Sequence, residues 1–361
     1  MKEFKGKVAV ITGAASGIGR ALADRGVQEG MRAVLADVEV EALAKTEAGL
    51  KASGATVLAV PSDVSQARDV AALAQKTLEV FGAVHLLCNN AGVAGRPVSV
   101  WENTMADWEW VMGVNLWSVI HGVRVFVPIM LAQDTECHVV NTASMAGLIS
   151  NPGLAPYKVT KHGVVTLSET LHHELTELGA KVKVSVLCPG IVKTRIMESE
   201  RNRPRHLLAT EPSSLASGSG WEILRQLVQA GMPPAQVAEA VFKAIREERF
   251  YILTHPEDKE AVRTRMEDIL QERNPTHPGD NRKGCSTMAS IYLKPEEALV
   301  LIEFLLRFRD QEKLSIEHCA EANALWDLCA VLESQVPELV DPAYAQLLEK
   351  ARAAVASSDW E

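Results

Sequence analysis

The sequence predicts an α/β fold: a doubly wound parallel sheet of about seven strands followed by a C-terminal all-helical appendage. Three observations carry this expectation. Short β-branched runs alternate with longer segments of helical period up to residue 253, those runs are almost continuously apolar, and beyond residue 287 the strand-like runs stop. Strands without polar alternation are buried on both faces, which requires helices on both sides of a parallel sheet.

The strand-like runs, in order, are KVAVIT, RAVLAD, ATVLAV, AVHLLC, HVVNTA, KVSVLC and FYIL. Between them lie amphipathic stretches such as ARDVAALAQKTLEVFG, apolar at i, i+3 and i+4, and DWEWVMGVNLWSVIHG. After the sixth run, residues 191–220 break the rhythm with charge, Pro and Ser, a long excursion of the kind that forms a lid. PPAQVAEAVFKAIREE then restarts a helix, and residues 256–273 predict another. These elements make a first domain over 1–273. Residues 274–287 read as a linker dense in Pro, Gly and polar residues. Residues 288–361 read as an acidic helical tail, with helices expected over Pro295–Arg309, Ser315–Ser334 and Asp341–Ala356.

Composition sets outer limits on function. At 47% hydrophobic and 23% charged residues the chain has globular composition. Its apolar stretches, such as VRVFVPIMLA, are too short to span a bilayer, and MKEFKGKVAV lacks the apolar run of a signal peptide, so a cytoplasmic protein without membrane attachment is expected. Six cysteines without C-x-x-C spacing suit reduced core thiols, and no His, Asp or Glu constellation suggests a metal. Residues 1–287 carry 31 Lys+Arg against 32 Asp+Glu, whereas 288–361 carry 6 against 14. Neither part has the basic stripe of a nucleic-acid binder.

The chemistry begins at the first turn. VAVITGAASGIGRALA places Gly13 where the chain must turn tightly, Gly17 where backbone can approach a pyrophosphate, and Gly19 where a helix must pack closely on a strand. Its spacing is G-x-x-x-G-x-G rather than the commoner G-x-G-x-x-G. Asp37 ends the second strand about 20 residues further on, where a carboxylate accepts hydrogen bonds from adenosine ribose hydroxyls and repels a 2′-phosphate. No Arg or Lys stands in the glycine turn before Arg20 or in the two positions after Asp37, so NAD is expected rather than NADP.

Thr12-Gly13-x-x-x-Gly17-Ile18-Gly19, Asp63-Val64, Asn89-Asn90-Ala91-Gly92, Asn115, Ser144, Tyr157-x-x-x-Lys161 and Pro189-Gly190 followed by Thr194 occur in order. Over residues 4–255 the chain thereby resembles the classical short-chain dehydrogenase/reductase family, whose fold is the Rossmann fold; the resemblance does not extend to the tail. It implies that Tyr157 exchanges a proton with the substrate oxygen and that Lys161 holds the nicotinamide ribose. A phenol titrates near pH 10, and an ammonium one helical turn away draws it down. It further implies that Ser144 hydrogen-bonds the substrate oxygen and that Asn115 holds a water extending a proton relay from Lys161. Ser16, Gly17 and Ile18 would line the pyrophosphate, Asp63 and Val64 the adenine, Asn90 the adenosine side, and Val192 and Thr194 the nicotinamide amide.

The expected activity is hydride transfer between NAD and a small-molecule alcohol or ketone. Val93, Ala94, Met145 and Leu148 are expected to make the pocket mouth apolar, favouring a hydrophobic secondary alcohol. The family commonly forms homodimers or homotetramers. Trp101, Trp108, Trp110 and Trp117 read as core or subunit contacts, and the arginines at 195, 201, 203 and 205, mixed with Glu198 and Glu200, as a solvated loop. A second reading is a dinucleotide-binding sensor or scaffold without catalysis, whose tail recruits a partner. The tail is either such an interaction module or an appended segment, since Met288 could itself start a small protein. A chain ending at Gly284 should keep full activity and oligomeric state under the second alternative, and lose one or the other under the first; turnover assays with size-exclusion chromatography separate the two.

Overall fold

The computed structural model describes residues 1–208, 219–276 and 349, without the side chains of 219–223. The chain divides into two units, Met1–Gly284 and Cys285–Glu361. Most of the predicted linker, the three predicted tail helices apart from Glu349, and residues 209–218 of the predicted lid lie outside the described residues.

Seven strands form one parallel sheet in the order β3-β2-β1-β4-β5-β6-β7. They are β1 (Val8–Thr12), β2 (Arg32–Asp37), β3 (Val57–Pro61), β4 (Leu86–Asn89), β5 (Cys137–Thr142), β6 (Val182–Cys188) and β7 (Tyr251–Leu253). Each coincides with one of the seven runs read from the sequence, to within a few residues. The order reverses between β1 and β4, and at such a switch point the carboxyl ends of the strands diverge into a crevice.

Nine helices flank the sheet among the described residues: α1 (Gly17–Gln28), α2 (Val40–Ala52), α3 (Ala67–Phe81), α4 (Met105–Met112), α5 (Ser118–Ala132), α6 (Ala155–Glu177), α7 (Ser219–Ala230), α8 (Pro234–Arg246) and α9 (Lys259–Leu270). The period of two along the strands sorts the core into two layers. Ala9, Ile11, Ala33 and Leu35 point to one face, where they meet Leu22 of α1, Leu43 of α2 and Val241, Phe242 and Ile245 of α8. Val8, Val10, Val34 and Ala36 point to the other, against Leu73 of α3, Phe126 and Met130 of α5 and Leu171 of α6. The free cysteines Cys88, Cys137 and Cys188 are buried.

Two local features depart from the simple reading. Gly113–Trp117 forms a π-helical turn that joins α4 to α5, so Met105–Ala132 is one helical run. By length and composition alone it could cross a membrane, although charges at Asp107, Glu109 and Arg124 interrupt its apolar stretches, which is why no segment of the sequence looked long enough. Its Phe126, Val127 and Met130 are packed into the core beneath the sheet. The helix expected over 256–273 begins instead as a 3₁₀ turn at Pro256–Asp258 and becomes α-helical only at Lys259.

Phe242 is fully buried, 5.0 Å from the Phe4 ring with Arg25 over its face. Truncating it by Phe242→Ala should cost about 3–5 kcal/mol through lost burial and the cavity left behind, read as a lowered urea midpoint.

Candidate active site

A cavity of ≈ 620 Å³ opens along the carboxyl ends of the strands. Of the predicted site residues it is lined by Gly13, Ser16, Gly17, Ile18, Asp37, Asp63, Val64, Asn90, Ser144, Tyr157, Lys161, Val192 and Thr194. Gly19 and Asn115 lie behind its wall.

The glycine turn is shaped by close approach. Gly13 and Gly17 have φ of 66° and 55°, the left-handed region that disfavours side chains. A Cβ on Gly19 would stand 2.1 Å from the Gly13 carbonyl oxygen, so α1 could not rest on the turn. α1 starts at Gly17 with no side-chain cap and no acidic residue in its first turn. Its first N–H groups therefore remain available to an anion at the cavity.

Asp37 closes this end of the site. Its carboxylate accepts from the Ala15 N–H and from the Glu39 N–H, both at 2.9 Å, bracing the glycine turn against the end of β2. Asp63 is similarly engaged by Ser65, whose N–H and hydroxyl donate to it at 3.0 and 2.7 Å. Asn90 spans three strand ends. Its Nδ2 donates to the Thr12 carbonyl at 3.0 Å, and its Oδ1 accepts from the Thr142 hydroxyl at 3.3 Å. The Thr12 hydroxyl in turn accepts from the Asn90 and Ala91 N–H groups at 2.9 and 3.1 Å.

At the opposite end, Tyr157 and Lys161 stand one turn apart on α6. Lys161 is buried, and its Nζ donates to the Thr142 carbonyl at 2.9 Å and sits 5.4 Å from the Tyr157 ring centre. Burial lowers the Lys161 ammonium to about 8. Burial also raises the Tyr157 phenol above its ordinary value, partly offset by a hydrogen bond with the Ser144 hydroxyl. The downward pull expected from Lys161 is not among the influences on the phenol: burial sets the direction, and the opposing influence comes from Ser144. Ser144 caps the turn after β5 by accepting from the Ala146 N–H at 3.1 Å. That turn lies directly on α6 because residue 147 is glycine, where a Cβ would stand 2.5 Å from the Lys161 carbonyl oxygen.

Asn115 is buried in the π turn. Its Oδ1 accepts from the Val93 N–H at 2.8 Å, and its Nδ2 donates to the Val93 carbonyl at 2.9 Å and to the Thr160 hydroxyl at 3.3 Å. The amide thus clamps the loop segment leaving Gly92, a position whose Cβ would lie 3.5 Å from both Asn115 Oδ1 and Lys161 Nζ. A π turn leaves no mark on hydrophobic periodicity, so the sequence showed the asparagine but not this clamp.

The apolar side of the cavity differs from expectation. Val93 lines it as predicted, but Ala94, Met145 and Leu148 do not; Met145 and Leu148 pack with Val164 and Val165 of α6 beneath the turn. Trp110, Val114 and Leu207 take their place, and Val93, Trp110, Val111 and Leu207 form one cluster with Tyr157 against it. Trp101 and Trp117 remain exposed.

The arginine-rich segment is solvated only in part: Arg195 and Arg205 are exposed, as expected, whereas Arg201 and Arg203 reach carboxylates on distant elements. Arg203 is buried, with Nη1 2.7 Å from Asp107 of α4, its guanidinium over the Trp110 ring and Nε donating to the Leu207 carbonyl at 2.6 Å. Burial would raise Asp107, but hydrogen bonds from Thr104 and the ion pair with Arg203 hold it below the usual carboxylate range. Arg201 reaches Glu39 across the cavity mouth at 2.5 Å. These partners are 162 and 96 residues apart in sequence, beyond the reach of local pattern.

With this geometry in hand, similarity to known proteins takes on meaning. Residues 7–205 match the family described as short chain dehydrogenase. Over 278 residues the chain is 36% identical to a CLA biosynthesis dehydrogenase/reductase of Lactiplantibacillus plantarum, covering 76% of this chain and 97% of that one. It is 35% identical over 195 residues to a cyclohexanol dehydrogenase of Acinetobacter sp., covering 54% of this chain and 76% of that one. Among solved structures, a short chain dehydrogenase/reductase from Burkholderia phymatum in complex with NAD superimposes with a TM-score of 0.75 at 51% identity, covering 77% of this chain and 99% of that chain.

Replacing Gly147 by Ala should lift the Ser144 turn off α6, because the atom it meets is backbone. A loss of about 1–3 kcal/mol in stability is expected, measured by urea denaturation, with a larger proportional loss of any turnover that depends on the Ser144–Tyr157 contact.

Proposed function

The chain belongs to the short-chain dehydrogenase family, and from that premise we propose that it moves a hydride between NAD and the carbinol carbon of a hydrophobic secondary alcohol, with the ketone as the other partner. The observation that carries this reading is the position of Tyr157, whose ring packs on the apolar Val93–Trp110–Leu207 cluster and which lines one cavity with Ser144 and Lys161. An alcohol seated on that cluster would bring its oxygen to both hydroxyls.

In the oxidative direction Tyr157, as phenolate, takes the hydroxyl proton while Ser144 holds the oxygen in place. Lys161, fixed to the Thr142 carbonyl, is positioned to bind ribose hydroxyls and to receive charge developing near the phenol. Asn115 holds the Val93 segment, and with it one wall of the pocket. A bound oxidised nicotinamide would supply the hydride acceptor, and its positive charge would favour the Tyr157 phenolate that burial otherwise disfavours. The uncapped start of α1, with Gly13, Ser16, Gly17 and Ile18, fits a pyrophosphate. Asp37 at the ribose end supports NAD over NADP, with Asp63, Val64 and Asn90 on the adenosine side and Val192 and Thr194 facing the amide. Exposed Val100, Trp101, Met105 and Trp117 around α4 and α5 support assembly into a homodimer or homotetramer.

Tyr157→Phe is the direct test. Removing the proton carrier should lower alcohol oxidation by roughly 10²–10⁴-fold while NADH binding, followed by fluorescence, persists. Because burial raises the phenol, oxidation by the unaltered protein should accelerate with rising pH, and the variant should lose that limb. A panel of secondary alcohols assayed with NAD and NADP in parallel should give turnover with NAD and apolar members; binding of NADH without turnover of any member would favour a sensor instead.

A further inference from the structure

The strap that leaves β6 carries cations to the one part of the cavity where the local sequence showed none. Arg201 donates from Nε and Nη2 to Glu39 Oε1 at 3.1 and 2.5 Å, Asn202 Nδ2 donates to the same oxygen at 3.0 Å, and Arg195 Nη1 lies 3.9 Å from Oε2. The Glu39 and Arg201 side chains keep 21% and 25% of their exposure, so the contact stands at the rim of the cavity, partly open to solvent. The hydrogen bond from Arg201 is the main influence holding the Glu39 carboxyl below its ordinary value. Asp37, Glu39, Arg195 and Arg201 all line the same cavity.

The consequence concerns the 2′-phosphate that distinguishes the two dinucleotides. Such a group carries a charge of roughly −1.5 to −2 at neutral pH and is bound best by the fork of a guanidinium. Arg201 and Arg195 are cations lining the same cavity as Asp37; Glu39 engages Arg201, and Arg195 pairs with Glu198. Asp37 already accepts two backbone N–H groups, so its carboxylate is held in place by the turn it braces. We propose that Glu39 is a specificity-determining residue, which keeps the site selective for NAD by engaging Arg201 and so withholding it from a 2′-phosphate. The proposal rests on the dinucleotide reading above and adds an element of discrimination from the strap: a repulsive carboxylate paired with an otherwise attractive arginine.

The test compares wild type, Glu39→Gln, Arg201→Gln and the double variant, with Glu39→Asp as the charge-conserving control. NADH and NADPH binding are measured by fluorescence titration, independently of turnover. Glu39→Gln should shift the ratio of NADPH to NADH affinity toward NADPH by about tenfold or more. Glu39→Asp should retain the wild-type ratio, and the double variant should lose most of the gain, because the released guanidinium is gone. An unchanged ratio in Glu39→Gln with NADH binding intact would overturn the proposal and leave the dinucleotide reading standing. An equal gain in the double variant would also overturn it, by showing that Arg201 plays no part. Failure of wild type to bind either dinucleotide would remove both readings together.

Discussion

The Thr12 side chain and its partners hold the two halves of the site in register. Where parallel strands end, their last N–H and C=O groups lose ladder partners and must be satisfied some other way. Here the Thr12 hydroxyl accepts from Asn90 and Ala91 and donates to the Cys88 carbonyl, Asn90 returns a bond to the Thr12 carbonyl and accepts from Thr142, and the Thr142 carbonyl receives Lys161. One connected set of bonds therefore runs from the glycine turn after β1, across the switch point, to the lysine of α6. The spacing between the start of α1 and the Tyr157–Lys161 turn of α6 is held by that set, with the strand ends as its frame.

A second polar layer lies beneath it. Asn89 donates to Asn141, Asn141 to the Ser168 hydroxyl, and Ser168 to the Val164 carbonyl, all buried. Buried amides without partners are costly, whereas a satisfied chain adds rigidity and specifies one arrangement. Residue 122 must be glycine for α5 to lie over it, since a Cβ there would stand 2.1 Å from Asn89 Oδ1. The layer couples β4, β5 and α6, so the helix bearing Tyr157 and Lys161 is anchored to the sheet by hydrogen bonds as well as by Leu171 and Leu175.

How much of this was legible from sequence depends on the range of the interaction. Strands and glycines announce themselves locally: β-branched runs mark β1 to β7, and Gly13, Gly17 and Gly19 stand where a turn requires them. Asp37 was legible as a strand-end carboxylate, although its bonds to Ala15 and Glu39 were not. The π turn around Asn115 left no periodic signal. The strap was misread because charge mixing along a segment resembles solvation, while the partners of Arg201 and Arg203, Glu39 and Asp107, come from distant elements. The pocket wall was misassigned for the same reason: Met145 and Leu148 follow a catalytic-type serine in sequence but face inward, and Trp110 and Leu207 reach the cavity from elsewhere. Composition and period identify a frame; pairing across it is a property of the fold.

The strap over Ile196–Leu207 is tied near its middle by two guanidinium–carboxylate pairs, Arg201 with Glu39 and Arg203 with Asp107, and it contributes Leu207 to the apolar wall of the cavity. It is thus a transferable part whose attachment points are two carboxylates on the frame. Exchanging this segment for one of different lining would redraw the range of alcohols admitted while leaving the sheet, the glycine turn and α6 untouched, provided the incoming sequence carries an arginine in register with Asp107. A graft lacking that arginine would leave the buried Asp107 carboxylate to Arg96 and Thr104 alone, and would lose the cation over the Trp110 ring.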